Sequence, residues 1–397
     1  MPSSETPSAA ASSRALTLAA CASFLPIGIA TVLLGPLLPI FSARWSLNYS
    51  QAGELFAVQY VASTIGVALS GTVVSRWGFR FAMQSGMALV GVGIAFLTWG
   101  PEWLAILCIS AYGAGQAIAV PAANLVVAEM NPARRSASLN LLNFCWSAGA
   151  VACPFLIAAA VKNHHLELSL AVLAGFVFLV AIGIGFMPSF EAASSTRVSG
   201  ASVGPPAIPW KHRGLIALGA MFLVYVGTEN AFGGWVASYA KSLGNMTPAI
   251  SLMMPAFFYA AITVGRSLAP LILRATDEIR LAQIGLLIGF AGSAGLLLSH
   301  DLRGIVISAC VAGFGLSSVY PTTISLLSRE FGPAAARVGS IMFTLSNVGG
   351  GLFPWIVGIS SSHFGGLKTG LIVPLIGCAI LYALYLRDWK PSPVATQ

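Results

Sequence analysis

Twelve stretches of about 20 or more mostly apolar residues follow one another along this chain of 397 residues. They lie at roughly 15–42, 51–75, 81–100, 104–128, 136–161, 168–187, 214–240, 248–273, 280–299, 303–327, 335–361 and 367–386. A helix of about 20 such residues covers the hydrocarbon core of a bilayer. Inside lipid every backbone N–H and C=O must be satisfied by the protein itself, which leaves helices or closed barrels. The apolar residues do not alternate as barrel strands require, and each stretch is too long for a strand. The chain therefore reads as an all-α polytopic membrane protein with twelve transmembrane helices. Composition agrees, because 57% of the residues are hydrophobic and only 8% are charged, against about 25% charged in soluble domains.

The formal net charge of +8 does not point to nucleic acid once its placement is considered. With both termini in the cytoplasm, the inner loops carry Arg14, Arg76, Arg80, Arg134, Arg135, Arg197, Lys211, Arg213, Arg274, Arg280, Arg329, Arg337, Arg387 and Lys390. The outer loops keep Arg44, Lys162, Lys241, Arg303 and Lys368. This bias fits the positive-inside rule, so the basic balance records topology in a cell (inner) membrane. The six cysteines have no paired or metal-like spacing, and the five histidines fall in loops or at span ends. No nucleophile elbow or phosphate-binding glycine loop appears. An enzyme, a metal site and a cofactor are not expected, and the bilayer is the expected surrounding of a monomer.

The longest polar stretch, rich in Ser, Gly and Pro, divides six spans from six. The expected organisation is an N-terminal six-helix bundle (1–187), a cytoplasmic linker (188–213) and a C-terminal six-helix bundle (214–397). The halves repeat one another. "AYGAGQAIAVPAANL" from Ala111 and "VAGFGLSSVYPTTIS" from Val311 align at an offset of 200, matching Gly113 with Gly313, Gly115 with Gly315 and Pro121 with Pro321. A second register, offset by 199, relates Gly28 to Gly227, Gly35 to Gly234 and Gly66 to Gly265. Two six-helix bundles related in this way are an alternating-access architecture.

Between spans two and three the chain reads "GTVVSRWGFR", with Gly71, Ser75, Arg76, Gly78 and Arg80. This resembles the signature loop of the major facilitator superfamily, with Ser75 where the family places an acid. A degenerate second copy contains Arg274, Asp277 and Arg280. Glu129 with Arg134 and Arg135, and Glu330 with Arg337, have the placement of charges that form an inter-helix network in that family. The resemblance implies that Arg76, Arg80, Glu129, Arg135, Glu330 and Arg337 act in gating. "YVGTENAFGGW" (Tyr225 to Trp235) resembles the seventh-helix motif of the branch that includes fucose:proton symporters and sodium-dependent glucose transporter-like proteins. The first helix lacks the acidic residue of the fucose symporters.

Ionisable groups inside a span are costly and mark pathways for substrates and protons. Glu229 lies about 22 Å along span seven at 1.5 Å per residue, and shares a helix face with Tyr225. It is a candidate for substrate binding and for carrying a coupling ion. Gly233 and Gly234 are expected to weaken this helix at a bend, and Trp235 to offer a plane on which a sugar ring can stack. Arg266 is the one cation within a span, about 10 Å nearer the cytoplasm than Glu229 by a straight-helix reading. It is an expected coupling residue. Asn143 belongs to a polar stripe with Asn140 and Ser147 in span five, beside Trp146, and its repeat mate presents Ser340, Phe343 and Asn347. Gln59, Gln116, Asn230, Tyr259 and Tyr320 complete the candidate substrate site, since amides and aromatic faces suit an uncharged polyol. Glu54 reads as an interface residue.

The expected function is secondary transport by alternating access, moving a neutral monosaccharide inward with a proton. Sodium coupling is the near variant. A proton-driven efflux antiporter for amphipathic compounds and a sugar sensor that does not transport are the alternatives.

Overall fold

The structure, a computed structural model, describes residues 7–131, 135–187, 213–244, 246–387 and 389. Its elements are α1 (Pro7–Val32), α2 (Leu34–Trp45), α3 (Tyr49–Ala95), α4 (Glu102–Met130), α5 (Arg135–Lys162), α6 (Leu166–Gly185) and α7 (Arg213–Ser242). After these come α8 (Pro248–Ile272), α9 (Glu278–Leu298), α10 (Leu302–Leu316), α11 (Val319–Phe331), α12 (Ala335–His363), α13 (Leu367–Gly370) and α14 (Ile372–Tyr385). No strand occurs among the described residues. Most of the linker expected at 188–213 lies outside them.

These elements resolve into twelve spans. Ten stretches are long and apolar enough to cross a bilayer, and α1 with α2 adds one span bent by 41°. The 47-residue α3 runs to about 70 Å at 1.5 Å per residue, over twice the hydrocarbon thickness. It holds two spans. Gly78 separates them at φ 81° and ψ 169°, a left-handed backbone open to glycine but strained for other residues. The glycine of the signature loop thus has a backbone reason to be glycine.

Prolines account for the three breaks inside spans. A proline nitrogen cannot donate to the carbonyl four residues earlier. Pro36, Pro321 and Pro374 therefore leave Val32, Ser317 and Gly370 without their helical partner, and each break falls at or just after that residue. Pro121, Pro154 and Pro354 sit within unbroken helices.

The described residues group into two compact units, one lying within Met1–Leu33, Val61–Leu156 and Asn163–Ala201, the other within Leu34–Tyr60, Ile157–Lys162 and Ser202–Gln397. Lipid gives helices little apolar drive toward one another, so small residues that permit close approach do much of the holding. Within the first unit a Cβ on Gly66 would strike Ala114 and Ala117. Within the second a Cβ on Gly265 would strike Phe314 and Ser317, the residues 200 positions on. Gly86 against Gly115 is matched in the same way by Gly285 against Gly315. The repeat read from sequence is thus a repeat of helix crossings. Large apolar side chains such as Leu179, Ile216 and Leu298 remain exposed, as helices in hydrocarbon require.

In the second unit α7 is central, with α2, α8, α11, α12 and α14 packed on it. Every residue from Ala231 to Ala240 is buried. Its polar residues therefore meet protein from several sides.

Candidate transport site

The charged centre of the second unit is built on α7, α8 and α11. Glu229 and Arg266 face each other, with Oε2 and Nη2 4.0 Å apart and side chains 12% and 27% exposed. Two unit charges at that distance attract by about 4 kcal/mol at an effective dielectric of about 20, much of it offset by desolvation. Arg266 Nη2 also donates to the Tyr225 hydroxyl at 3.4 Å. Tyr225 lies one helical turn from Glu229 on the same face and stacks on Tyr320, with ring centroids 5.3 Å apart and planes 29° apart. Arg266 Nε is buried with no hydrogen-bond partner among the described residues. The result is a carboxylate and a guanidinium side by side over two stacked phenols.

A straight-helix reading sets Arg266 well below Glu229. The structure joins them because a long arginine side chain carries its charge far from its own backbone. The guanidinium reaches Tyr225 first, a turn before the carboxylate, and so spans the difference in depth.

Asn230 faces away from Glu229. Its Nδ2 donates to Val226 O at 2.8 Å, and its Oδ1 accepts from the Tyr60 hydroxyl at 2.7 Å. Trp235 is enclosed, 1% exposed. Its indole N–H donates to Pro354 O at 2.9 Å, and its ring lies near Tyr49 and Phe56. Where the sequence suggests a weakened helix at Gly233 and Gly234, α7 runs on without interruption from Arg213 to Ser242. Those glycines serve close packing instead. A Cβ on Gly233 would collide with the Tyr259 hydroxyl, and one on Gly234 with the Phe56 ring. Gln59 and Tyr259 are buried, Asn347 is half-buried on α12, and Glu54 is exposed.

The first unit holds a neutral cluster. Thr31 Oγ1 lies 3.0 Å from Gln116 Oε1 and accepts from the Trp146 indole N–H at 3.3 Å. Asn143 is apart from it, on an exposed face, with Nδ2 donating to Leu139 O of its own helix at 2.9 Å.

Of the expected gating charges, Arg80 donates to Met187 O at 2.9 Å, beyond the end of α6. Arg76 is exposed, and so is Glu129 in the last turn of α4. Glu330 is half-buried near the end of α11, and Arg337 is exposed in the first turn of α12. Arg135 opens α5, while its side chain and all of Arg134 lie outside the described residues. In the second copy of the signature loop, Asp277 caps α9 through Arg280 N at 2.9 Å and pairs with the Arg280 side chain at 3.2 Å.

Two residues of these clusters are not among the sequence candidates. Thr31 gives no signal of its own, being a common residue in a span. Tyr60 has one, since the offset of 199 pairs it with the candidate Tyr259.

Comparison with known proteins sets this geometry in a family. The Major Facilitator Superfamily model matches residues 16–354. Sodium-dependent glucose transporter 1 of Danio rerio is 22% identical over 88% of this chain and 64% of its own length, so the match spans less than two thirds of that relative. The glucose/mannose transporter GlcP of Bacillus subtilis (strain 168) is 22% identical over 90% of this chain and 92% of its own. The crystal structure of the nucleoside transporter NupG superposes with a TM-score of 0.72 at 13% identity, covering 94% of this chain and 97% of that one. With the family model matching most of its length, the chain belongs to the Major Facilitator Superfamily of membrane transporters.

Proposed function

We propose that the protein is a secondary transporter that moves a neutral monosaccharide by alternating access, with a proton carried on Glu229. The observation that supports this most is the Glu229–Arg266–Tyr225 cluster within a span. A proton on Glu229 cancels the charge that Arg266 faces, so loading and unloading the carboxylate changes the balance of the cluster. The carboxylate accepts and the guanidinium donates, which together suit sugar hydroxyls. Relatives named as glucose and glucose/mannose transporters support the sugar class. In this reading Tyr225, Tyr320 and Asn347 of the second unit contribute to the substrate site with Trp235, Gln59 and Tyr259 in support, and Gln116 and Trp146 are the first unit's own candidates for substrate contact. The halves 1–187 and 214–397 act as the two moving bodies, with 188–213 as the link. Arg76, Arg80, Glu129, Arg135, Glu330 and Arg337 act at the cytoplasmic gate, both termini are cytoplasmic, and the protein works as a monomer in the cell membrane.

The test is labelled glucose uptake into proteoliposomes under an inward proton gradient, with wild type and Glu229→Gln compared. The proposal expects concentrative uptake by the wild type and only equilibration by the variant. Because one relative is named sodium-dependent, the same vesicles are run with an inward sodium gradient. Accumulation driven by sodium, and not by protons, would replace the coupling ion and leave the sugar class standing.

A further inference from the structure

Tyr60 is a buried tyrosine to which the transport reading gives no role. It is the last residue of span two that belongs to the second unit, where Leu34–Tyr60 gives way to Val61. Its hydroxyl donates to Asn230 Oδ1 at 2.7 Å, beside Glu229 on α7. Its ring occupies a saddle on α12 made by two glycines. A Cβ on Gly350 would collide with the ring, and one on Gly351 would lie 2.9 Å from Tyr60 Cβ. The saddle is not an inheritance of the repeat. The offset of 200 puts Ala150 and Val151 at the matching positions, so this copy alone has room for a tyrosine ring.

The hydrogen bond is also specific. Asn230 commits its Nδ2 to Val226 O, which turns its oxygen to Tyr60. Burial makes such a bond selective, since a buried polar group that loses a hydrogen bond cannot readily replace it with water.

We propose that Tyr60 is a latch that fastens the Tyr49–Tyr60 half of span two over the turn bearing Glu229 and Asn230. Opening this face of the second unit requires the ring to leave the Gly350–Gly351 saddle and the hydroxyl to release Asn230. The purpose of the latch rests on the transport reading, but its existence is tested without substrate.

The experiment follows the accessibility of this seam. Ala57 has its Cα against Gly351, at 3.4 Å from a Cβ placed there. Ala57→Cys is introduced after the six native cysteines are replaced, and its rate of maleimide modification is measured on the full chain in detergent. Tyr60→Phe keeps the ring and removes one buried hydrogen bond, so labelling accelerates about fivefold. Gly350→Ala displaces the ring itself and accelerates labelling about tenfold or more. In an Asn230→Ala background Tyr60→Phe has no further effect, because the bond is already gone. A Tyr60→Phe rate equal to the parent's overturns the latch. So does a Phe effect that persists undiminished beside Asn230→Ala, or a rate that Gly350→Ala leaves unchanged. Sugar uptake is no part of the readout, so failure of the sugar assignment and failure of the latch are told apart.

Discussion

The two units share their helix crossings and differ in their chemistry. Where the second carries Glu229 and Asn230, the offset of 199 puts Ala30 and Thr31 in the first. Arg266 corresponds to Val67, Tyr225 to Pro26 and, at the offset of 200, Tyr320 to Val120. Even the local bonding repeats, since Thr31 donates to Ile27 O at 2.8 Å as Asn230 does to Val226 O at 2.8 Å. On that common frame the first unit builds a neutral cluster of Thr31, Gln116 and Trp146. The second builds an ionic one. An ionised side chain within a span costs a few kcal/mol unless it is paired or wet, so confining ionisable groups to one copy keeps that cost local. Glycine crossings carry no such cost, and both copies keep them.

The largest expected effect comes from unbalancing the ionic cluster. Arg266→Ala leaves the Glu229 carboxylate without its partner and lowers stability by about 3 kcal/mol, read as a reduced unfolding midpoint in detergent. The double variant Glu229→Gln with Arg266→Gln recovers most of that loss. Equal midpoints for the single and double variants would show that the two charges are not one unit.

A smaller effect tests the shared frame. A Cβ on Gly149 would collide with the Leu25 carbonyl in the first unit, and one on Gly349 with the Leu223 carbonyl in the second. Alanine at either position is expected to cost about 2 kcal/mol through overpacking, and nearly the same in both. A clear inequality would break the equivalence of the two crossings.

The smallest concerns the neutral cluster. Thr31→Val removes a hydroxyl that Trp146 donates to, at about 1 kcal/mol of stability. On the proposed reading, the number of protons moved per sugar stays unchanged. A changed ratio would bring the first unit into the coupling path.

Much of the candidate site is legible in the sequence, for a physical reason. Glu229 and Arg266 stand out because lipid tolerates few charges, so each charge in a span is conspicuous. Glycines stand out because close helix approach leaves few substitutes for them. Other features stay hidden. Trp235 reads as a stacking plane, yet its indole N–H is engaged by Pro354 O, a carbonyl on another helix more than a hundred residues away. The glycines after Glu229 read as a weak point in the helix, yet they admit Phe56 and Tyr259 against an uninterrupted one.

Whatever one helix can decide alone is written in the amino-acid sequence. That covers the number of spans, the breaks set by Pro36, Pro321 and Pro374, the turn at Gly78, and the positions where a carboxylate or a guanidinium enters a span. The bilayer enforces these locally, through the length of an apolar run and the cost of an unpaired backbone group or charge. Which side chains meet is settled by the folded assembly. The pairing of Glu229 with Arg266, the stacking of Tyr225 on Tyr320 and the seating of Tyr60 on Gly350 and Gly351 depend on helix rotation and side-chain reach. Those are set by packing against several neighbours at once, which no single span encodes.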